Sequence, residues 1–154
     1  MKNPLLDLHP DLEFLDRGFL DGATYRMDFL DPQAIVPLAD KFGLTYCFYT
    51  LEHVRDPWLW CKHLLYITAP GGYVYLSTVF WFPYHPSPED YWRFSPDALG
   101  LLFEGENILW KGWEDRVGVA ILVRKRHEEH IASYSGLSAV RLCVEDAVPA
   151  AMGL

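Results

Sequence analysis

The sequence predicts an α/β fold: a mostly parallel sheet with helices on both faces, closed by an antiparallel hairpin. Three observations predict it. Apolar runs rich in strand-forming residues alternate with helix-length segments. Two of those segments open on the same device, an aspartate followed by a proline, at Asp31-Pro32 and Asp56-Pro57. Near the end, "NILWKGWE" and "GVAILVRKR" stand close enough to pair as a hairpin, which breaks the parallel run.

The elements follow in order. "NPLLDLHP" (Asn3–Pro10) reads as a short strand ending in Asp7 and a proline turn, and "FLDRGFLDGA" as turn or loop. Thr24–Asp31 has strand-like content and stops at Pro32. "DPQAIVPLADKFG" offers Asp31 as N-cap, Pro32 at the first helical position and Gly43 as terminator, with Pro37 shortening or kinking the helix. Leu44–Leu51 is apolar on both faces, as a central parallel strand requires. The helix after Asp56 places Trp58, Cys61 and Leu65 on one face with Leu64 alongside, and Pro70-Gly71-Gly72 ends it. Tyr73–Phe80 is the next strand, and Ser95-Pro96 caps a short helix over "DALGLLFEG". In the tail from His130 to Leu154, "SGLSAVRLCVEDAV" fits a helix or a strand.

Composition narrows the functions. A chain of 154 residues suits one domain, and 51% hydrophobic content excludes a disordered chain. The net charge of -8 argues against a nucleic-acid backbone or an anionic membrane as partner. The one basic cluster, Arg124 to His127, reads as a solvated strand end. Cys47, Cys61 and Cys143 lie far apart with no CxxC pair, so neither a disulfide framework nor a zinc ribbon is expected, and no metal site is assigned. The odd cysteine count and the lack of a signal peptide favour the cytoplasm. No apolar run has membrane-spanning length.

Open α/β sheets bind ligands at the carboxyl ends of their strands. The loops after Leu51 and after Phe80 leave the same sheet edge, so their polar residues can converge. The second loop is crowded with His85, Glu89, Asp90, Tyr91 and Arg93, braced by Pro83, Pro86 and Pro88, and flanked by Trp81 and Trp92, which can wall out water. The plainer alternative is a rigid loop over the sheet edge with Arg93 paired to Asp90 or Glu89.

The run "YCFYTLEHVRDPW…APGGYVYLSTVFWFPYHPSPEDYWRFSPDALGLLFE" resembles the C-terminal half of class I S-adenosylmethionine-dependent methyltransferases. The likeness is to the small-molecule branch that carries "LEHV-x-DP … PGG", and it is strongest over Leu44 to Phe103. It implies a Rossmann-like, seven-stranded sheet with a closing hairpin, and S-adenosylmethionine as cofactor. It implies that Asp7 holds the ribose hydroxyls, Asp28 the adenine amino group, and that Phe48 lines the methionine moiety. Asp7 can equally cap the turn at Pro10, Asp28 can be a loop acid and Phe48 can be core. Glu52 and His53 are implied to hold the strand-to-helix turn. Methyl transfer needs an in-line, deprotonated acceptor. His85 is the first choice of general base, because its ordinary pKa is nearest neutral, and Asp90 the second; Arg93 or Tyr91 can orient the acceptor.

One departure is large. The family opens on a strand and a glycine-rich turn, roughly D-x-G-x-G-x-G, and here Gly18 and Gly22 are isolated. The chain is therefore expected to start at the family's second strand, as a truncated domain over residues 1–129 with an extension over 130–154. An empty central slot would strand two rows of backbone groups. Asn3–His9 is expected to fill it, with Thr24–Asp31 beside it, which moves the ribose role towards Asp16 or Asp21. The alternatives are a strand from a partner chain, in a homo- or hetero-oligomer that covers the sheet edge, or poor stability alone. Two functions follow: a methyltransferase acting on an oxygen or nitrogen of a small, sugar-like or metabolite acceptor, or a non-catalytic relative that has lost cofactor binding.

Overall fold

The structure, a computed structural model, describes residues 12–16, 23–86, 89–126 and 138–142. Asp7, Asp21 and the strand expected over Asn3–Pro10 lie outside the described residues.

β1 is Leu12–Asp16 and β2 is Tyr25–Arg26. The stretch from Phe14 to Asp16, read as loop, is thus strand, while the strand expected over Thr24–Asp31 is two residues long. Asp28 ends it: its Oδ1 accepts from Leu30 N at 3.0 Å, and its carbonyl accepts from Asp31 N at 3.0 Å. That side chain offers the backbone a turn in place of a ladder.

α1 (Pro32–Ile35) starts as expected, with the Asp31 side chain accepting from Gln33 N. It gives way to a 3-10 turn, Val36–Leu38, because Pro37 has no N–H to continue the α-helix. Gly43 is not the terminator. The chain reverses at Asp40, in the left-handed region at φ 53, and Gly43 lies inside β3 (Phe42–Phe48).

α2 (Pro57–Ile67) is capped by Asp56, which accepts from Leu59 N at 3.0 Å. Its buried face is Trp60, Cys61, Leu64 and Ile67, whereas Trp58 is 54% exposed. The face is rotated from the expected one because the Trp60 ring meets Phe29 edge-on at 4.6 Å and its indole N–H points to Cys47 Sγ at 3.4 Å. α2 runs directly into β4 (Thr68–Val79), so the Pro-Gly-Gly does not end the helix but opens the strand. Gly71 adopts φ 75, and a Cβ on Gly72 would stand 2.8 Å from Ala69 O and 2.9 Å from Gly43 O. Only glycine lets β4 approach β3 there. α3 (Pro96–Leu102) is capped by Ser95, and β5 (Asn107–Trp113) and β6 (Gly118–Arg124) form the expected hairpin.

The basic strand end is spent locally. Lys125 Nζ pairs with Asp40 at 2.6 Å and donates to Thr68 O, while Arg124 Nε donates to Gly71 O. No helix among the described residues is long and apolar enough to cross a membrane.

The sheet has seven strands in the order β2-β1-β7-β3-β4-β6-β5, where β7 is Ser138–Leu142. β3 and β4 run parallel, Leu44 beside Tyr73 through Phe48 beside Ser77, and only β6 runs against the rest. The expectation for the central slot is overturned. β7, from the part set apart as an extension, fills it in parallel, pairing Val140 with Glu13 on one side and Thr45 on the other. A strand there satisfies the facing backbone rows of β1 and β3 at once. Helices on both faces are also not found among the described residues. Val74, Leu76, Ile121 and Val123 lie in the core that α2 and α3 cover, and α1, α2 and α3 pack in succession. Tyr46, Phe48, Tyr75 and Leu122 alternate with those core positions and face the other way.

A proline at the middle of β7 tests the slot. Val140→Pro removes a ladder donor and is expected to cost on the order of 3 kcal/mol. Denaturant unfolding should show a lowered midpoint, and an unchanged midpoint would place β7 outside the cooperative core.

Candidate functional site

Two loops meet at the carboxyl edge of β3 and β4. The first is the turn after β3, where Leu51–His53 form a 3-10 turn. The second runs from Phe80 back to α3. It is sewn to the first by its backbone: Tyr91 N and Trp92 N both donate to Glu52 O, at 2.7 and 3.2 Å, and Trp92 Nε1 donates to Val54 O at 2.9 Å. Phe94 N donates to Val79 O, which returns the loop to the sheet. The convergence expected from strand order is therefore present. Trp92 packs edge-on against Trp58, but Trp81 is 67% exposed and walls nothing.

Arg93 is the loop's internal clamp. Nε donates to Phe82 O, one terminal nitrogen to Trp92 O and Asp90 Oδ1, and the other to Pro83 O and Asp90 Oδ2. Those contacts occupy all five guanidinium donors, so none remains to orient an acceptor. Asp90, with a side chain 1% exposed, also accepts from His85 N at 2.8 Å. The Arg93 hydrogen bonds, aided by the His85 N–H, lower its pKa to about 2. It stays ionised at neutral pH and is a poor proton acceptor. The plainer reading of this pair, a rigid staple, is what the geometry contains.

His85 stands differently. Its Nδ1 lies 2.9 Å from Pro83 O and 3.2 Å from Asp90 Oδ2. Two oxygens that accept place the proton on Nδ1 and leave the lone pair on Nε2. The side chain is 25% exposed. His53 is arranged alike: its Nδ1 meets Glu89 O, and its Nε2 lies 3.9 Å from Glu52 Oε1. The two imidazoles meet edge to face at 4.8 Å. Glu52 is 1% exposed, and its Oε2 accepts from Thr78 Oγ1 at 2.7 Å. The resemblance implies that Glu52 and His53 hold the turn; the turn's own bonds run from His53 N to Thr50 O and from Val54 N to Leu51 O, while the Glu52 carbonyl holds the opposite loop. Their side chains nonetheless converge with His85, which sequence spacing alone could not show; the adjacent acid and imidazole of "LEHV" were the available signal.

A cavity of about 240 Å³ opens beside this edge, lined by Asp28, Leu30, His53, Trp60, Glu89 and Tyr91 among others. Its far wall is fixed by His63, whose Nδ1 lies 2.6 Å from Phe29 O and so ties the Asp28 turn to α2. Asp28 thus borders the cavity with Oδ1 engaged in the turn. Asp16 closes β1 at the same sheet edge, next to β7. Phe48 ends β3 but stacks on Tyr46, at 5.7 Å and 12°, on the face away from α2 and does not line the cavity. Tyr91, 47% exposed, sits at the mouth. Just past β3, Tyr49 adopts φ 42 and its hydroxyl reaches Glu114, which also accepts from Tyr75 at 2.6 Å. Burial, with the Glu114 charge, raises both phenols, so both remain protonated.

The clamp predicts an acid-sensitive loop. The Asp90 pKa is depressed, so its contribution is complete above the unfolded value of 3.8 and is lost as pH falls towards about 2. Asp90→Ala leaves Arg93 unpaired and is expected to cost about 3 kcal/mol at neutral pH, while making stability flatter through that acid window. Thermal melts across pH check both; equal acid sensitivity of variant and parent would refute the clamp.

A search of curated proteins returns no match. Among solved structures, a SAM-dependent methyltransferase from Methanosarcina mazei aligns at 18% identity with a TM-score of 0.45. The alignment covers 58% of this chain and 62% of that chain, less than two thirds of its length. The family described as "Methyltransferase domain" matches residues 6–146. The match takes in β7 as well as the two loops, and by it the chain belongs to the methyltransferase-domain family.

Proposed function

We propose that the protein is an S-adenosylmethionine-dependent methyltransferase acting on an oxygen or nitrogen of a small, sugar-like or metabolite acceptor. The observation that carries the reading is His85: an imidazole held through Nδ1 by Pro83 O and Asp90 at the carboxyl edge of the sheet, with no partner on Nε2 among the described residues.

The residues present fit the adenosine part of the cofactor. Asp16, at the end of the strand beside the central slot, takes the ribose role in place of Asp7, since vicinal hydroxyls need a carboxylate that accepts twice. Asp28 keeps an oxygen available for an amino group at the cavity wall. The cavity is smaller than the roughly 300 Å³ at which whole-ligand pockets begin, so it takes one moiety and the rest lies along the sheet edge. When bound, S-adenosylmethionine supplies an electrophilic methyl group on a sulfonium. The chain's own work is to place the acceptor and receive its proton at His85 Nε2. Asp90 holds the ring by Nδ1 and stabilises the imidazolium that forms. Arg93 acts through Asp90 as a positioning residue, and Tyr91 at the mouth remains free to orient the acceptor.

A second reading, a non-catalytic family member, is favoured by one observation. The sequence holds no D-x-G-x-G-x-G run of the kind the family opens on, and Gly18 and Gly22 stand isolated. In the family those glycines let backbone approach the cofactor, and a chain without that run lacks this means of approach.

Calorimetry with S-adenosylmethionine or its demethylated product separates the two. Saturable heat with the folded protein supports methyl transfer, and its absence removes that reading. If His85 is the base, His85→Ala should lower kcat by about 10²–10⁴-fold and leave cofactor affinity unchanged. Parallel loss of cofactor affinity would make His85 structural.

A further inference from the structure

We propose that Glu52, His53 and His85 form a binding site for a divalent transition-metal ion at the acceptor side of the sheet edge. One ligand atom from each lies within 4.8 Å of the others.

The electrostatics of the cluster call for a cation. Glu52 is a buried carboxylate whose Oε2 is bonded by Thr78, while Oε1 faces His53 Nε2 at 3.9 Å, beyond hydrogen-bond reach. Each imidazole commits its Nδ1–H to an oxygen: His53 to Glu89 O, and His85 to Pro83 O with Asp90 behind. In the neutral rings this leaves Nε2 of each as the nitrogen able to ligate, and His53 Nε2 is the one that faces Glu52. The Arg93 charge is felt at Glu52, but its donors are all committed to Asp90 and loop carbonyls, so the three converging ligand atoms leave a place for a further cation.

The support around the ligands is also that of a metal site. Ligating histidines usually donate the other N–H to a carbonyl or carboxylate, which fixes tautomer and ring orientation. Both histidines here do so, and the carboxylate is fixed by a hydroxyl. Two imidazoles and one carboxylate select zinc, cobalt, manganese or iron over magnesium and calcium, which prefer all-oxygen shells. Ligands on one such ion stand about 3–4 Å apart, at metal–ligand distances near 2.1 Å, so the set must close by about an ångström. His85, whose side chain is 25% exposed, can close that distance by a turn of its ring while the loop backbone stays fixed.

Three protein ligands leave coordination positions open. Resting on the methyl-transfer reading, those positions suit an acceptor with neighbouring hydroxyls, such as a vicinal diol. Coordination would ionise one hydroxyl and hold the pair in a fixed orientation. Coordination and proton uptake use the same His85 lone pair. With metal bound, coordination would lower the hydroxyl's pKa and its proton would pass to solvent, so His85 serves as base only in the metal-free form.

The test needs neither cofactor nor acceptor. Chelator-treated protein is titrated with cobalt(II) and followed in the visible region. One equivalent should bind with a ligand-field band free of thiolate charge transfer, zinc should displace it, and magnesium should not. His85→Ala, checked for folding by thermal melt, should weaken binding at least about 100-fold, and His85→Gln should weaken it as well. Absence of stoichiometric binding by the parent, a thiolate band pointing to cysteine, or unchanged affinity in both variants overturns the proposal. Calorimetry with S-adenosylmethionine on the same metal-free protein reports the methyltransferase reading separately, so either can fail alone.

Discussion

The structure depends on one constraint: a strand in the middle of a sheet must find hydrogen-bond partners on both sides. β7 sits between β1 and β3, Leu12 to Leu15 on one side and Phe42 to Cys47 on the other. Each buried backbone group left unmet costs on the order of 1–3 kcal/mol, so an unfilled slot would consume a domain's whole stability. With the slot filled, the carboxyl ends of β1, β3 and β4 lie along one edge. That alignment sets the end of β1 and the two loops along the same edge of the sheet.

The edge is rigid for local reasons. Arg93 spends every donor on Asp90 and three carbonyls, and Glu52 O holds two successive N–H groups of the opposite loop. Prolines at Pro83 and Pro86 reduce the freedom that this network must restrain. The cluster of Glu52, His53 and His85 is thus presented on a stiff frame while His85 retains some exposure. Acid strips the frame only when Asp90 protonates, far below neutral pH.

Much of the fold was legible in the chain. The aspartate caps at Asp31 and Asp56, the serine cap at Ser95, the β3–β4 parallel pair and the closing hairpin all rest on interactions within a few residues or on plain apolar patterning. Failures came where a distant partner decided. Trp58 and Trp60 satisfy the same helical spacing, and Phe29 and Cys47 chose between them. Gly43 and Gly71-Gly72 read as helix stops, yet serve the close approach of β3 and β4.

Sequence by itself determined the alternation of elements, the edge that gathers polar residues and the identity of the crowded loop, since local propensity, capping and strand order carry those. It left "SAVRL" as helix or strand, and no nearest-neighbour rule assigns a strand to a slot more than ninety residues from one of its partners. Only tertiary structure placed β7 between β1 and β3, turned Arg93 inward and brought Glu52, His53 and His85 together. The reason is that sheet order and side-chain convergence are settled by satisfying buried polar groups across the whole domain, a sum that no single segment contains.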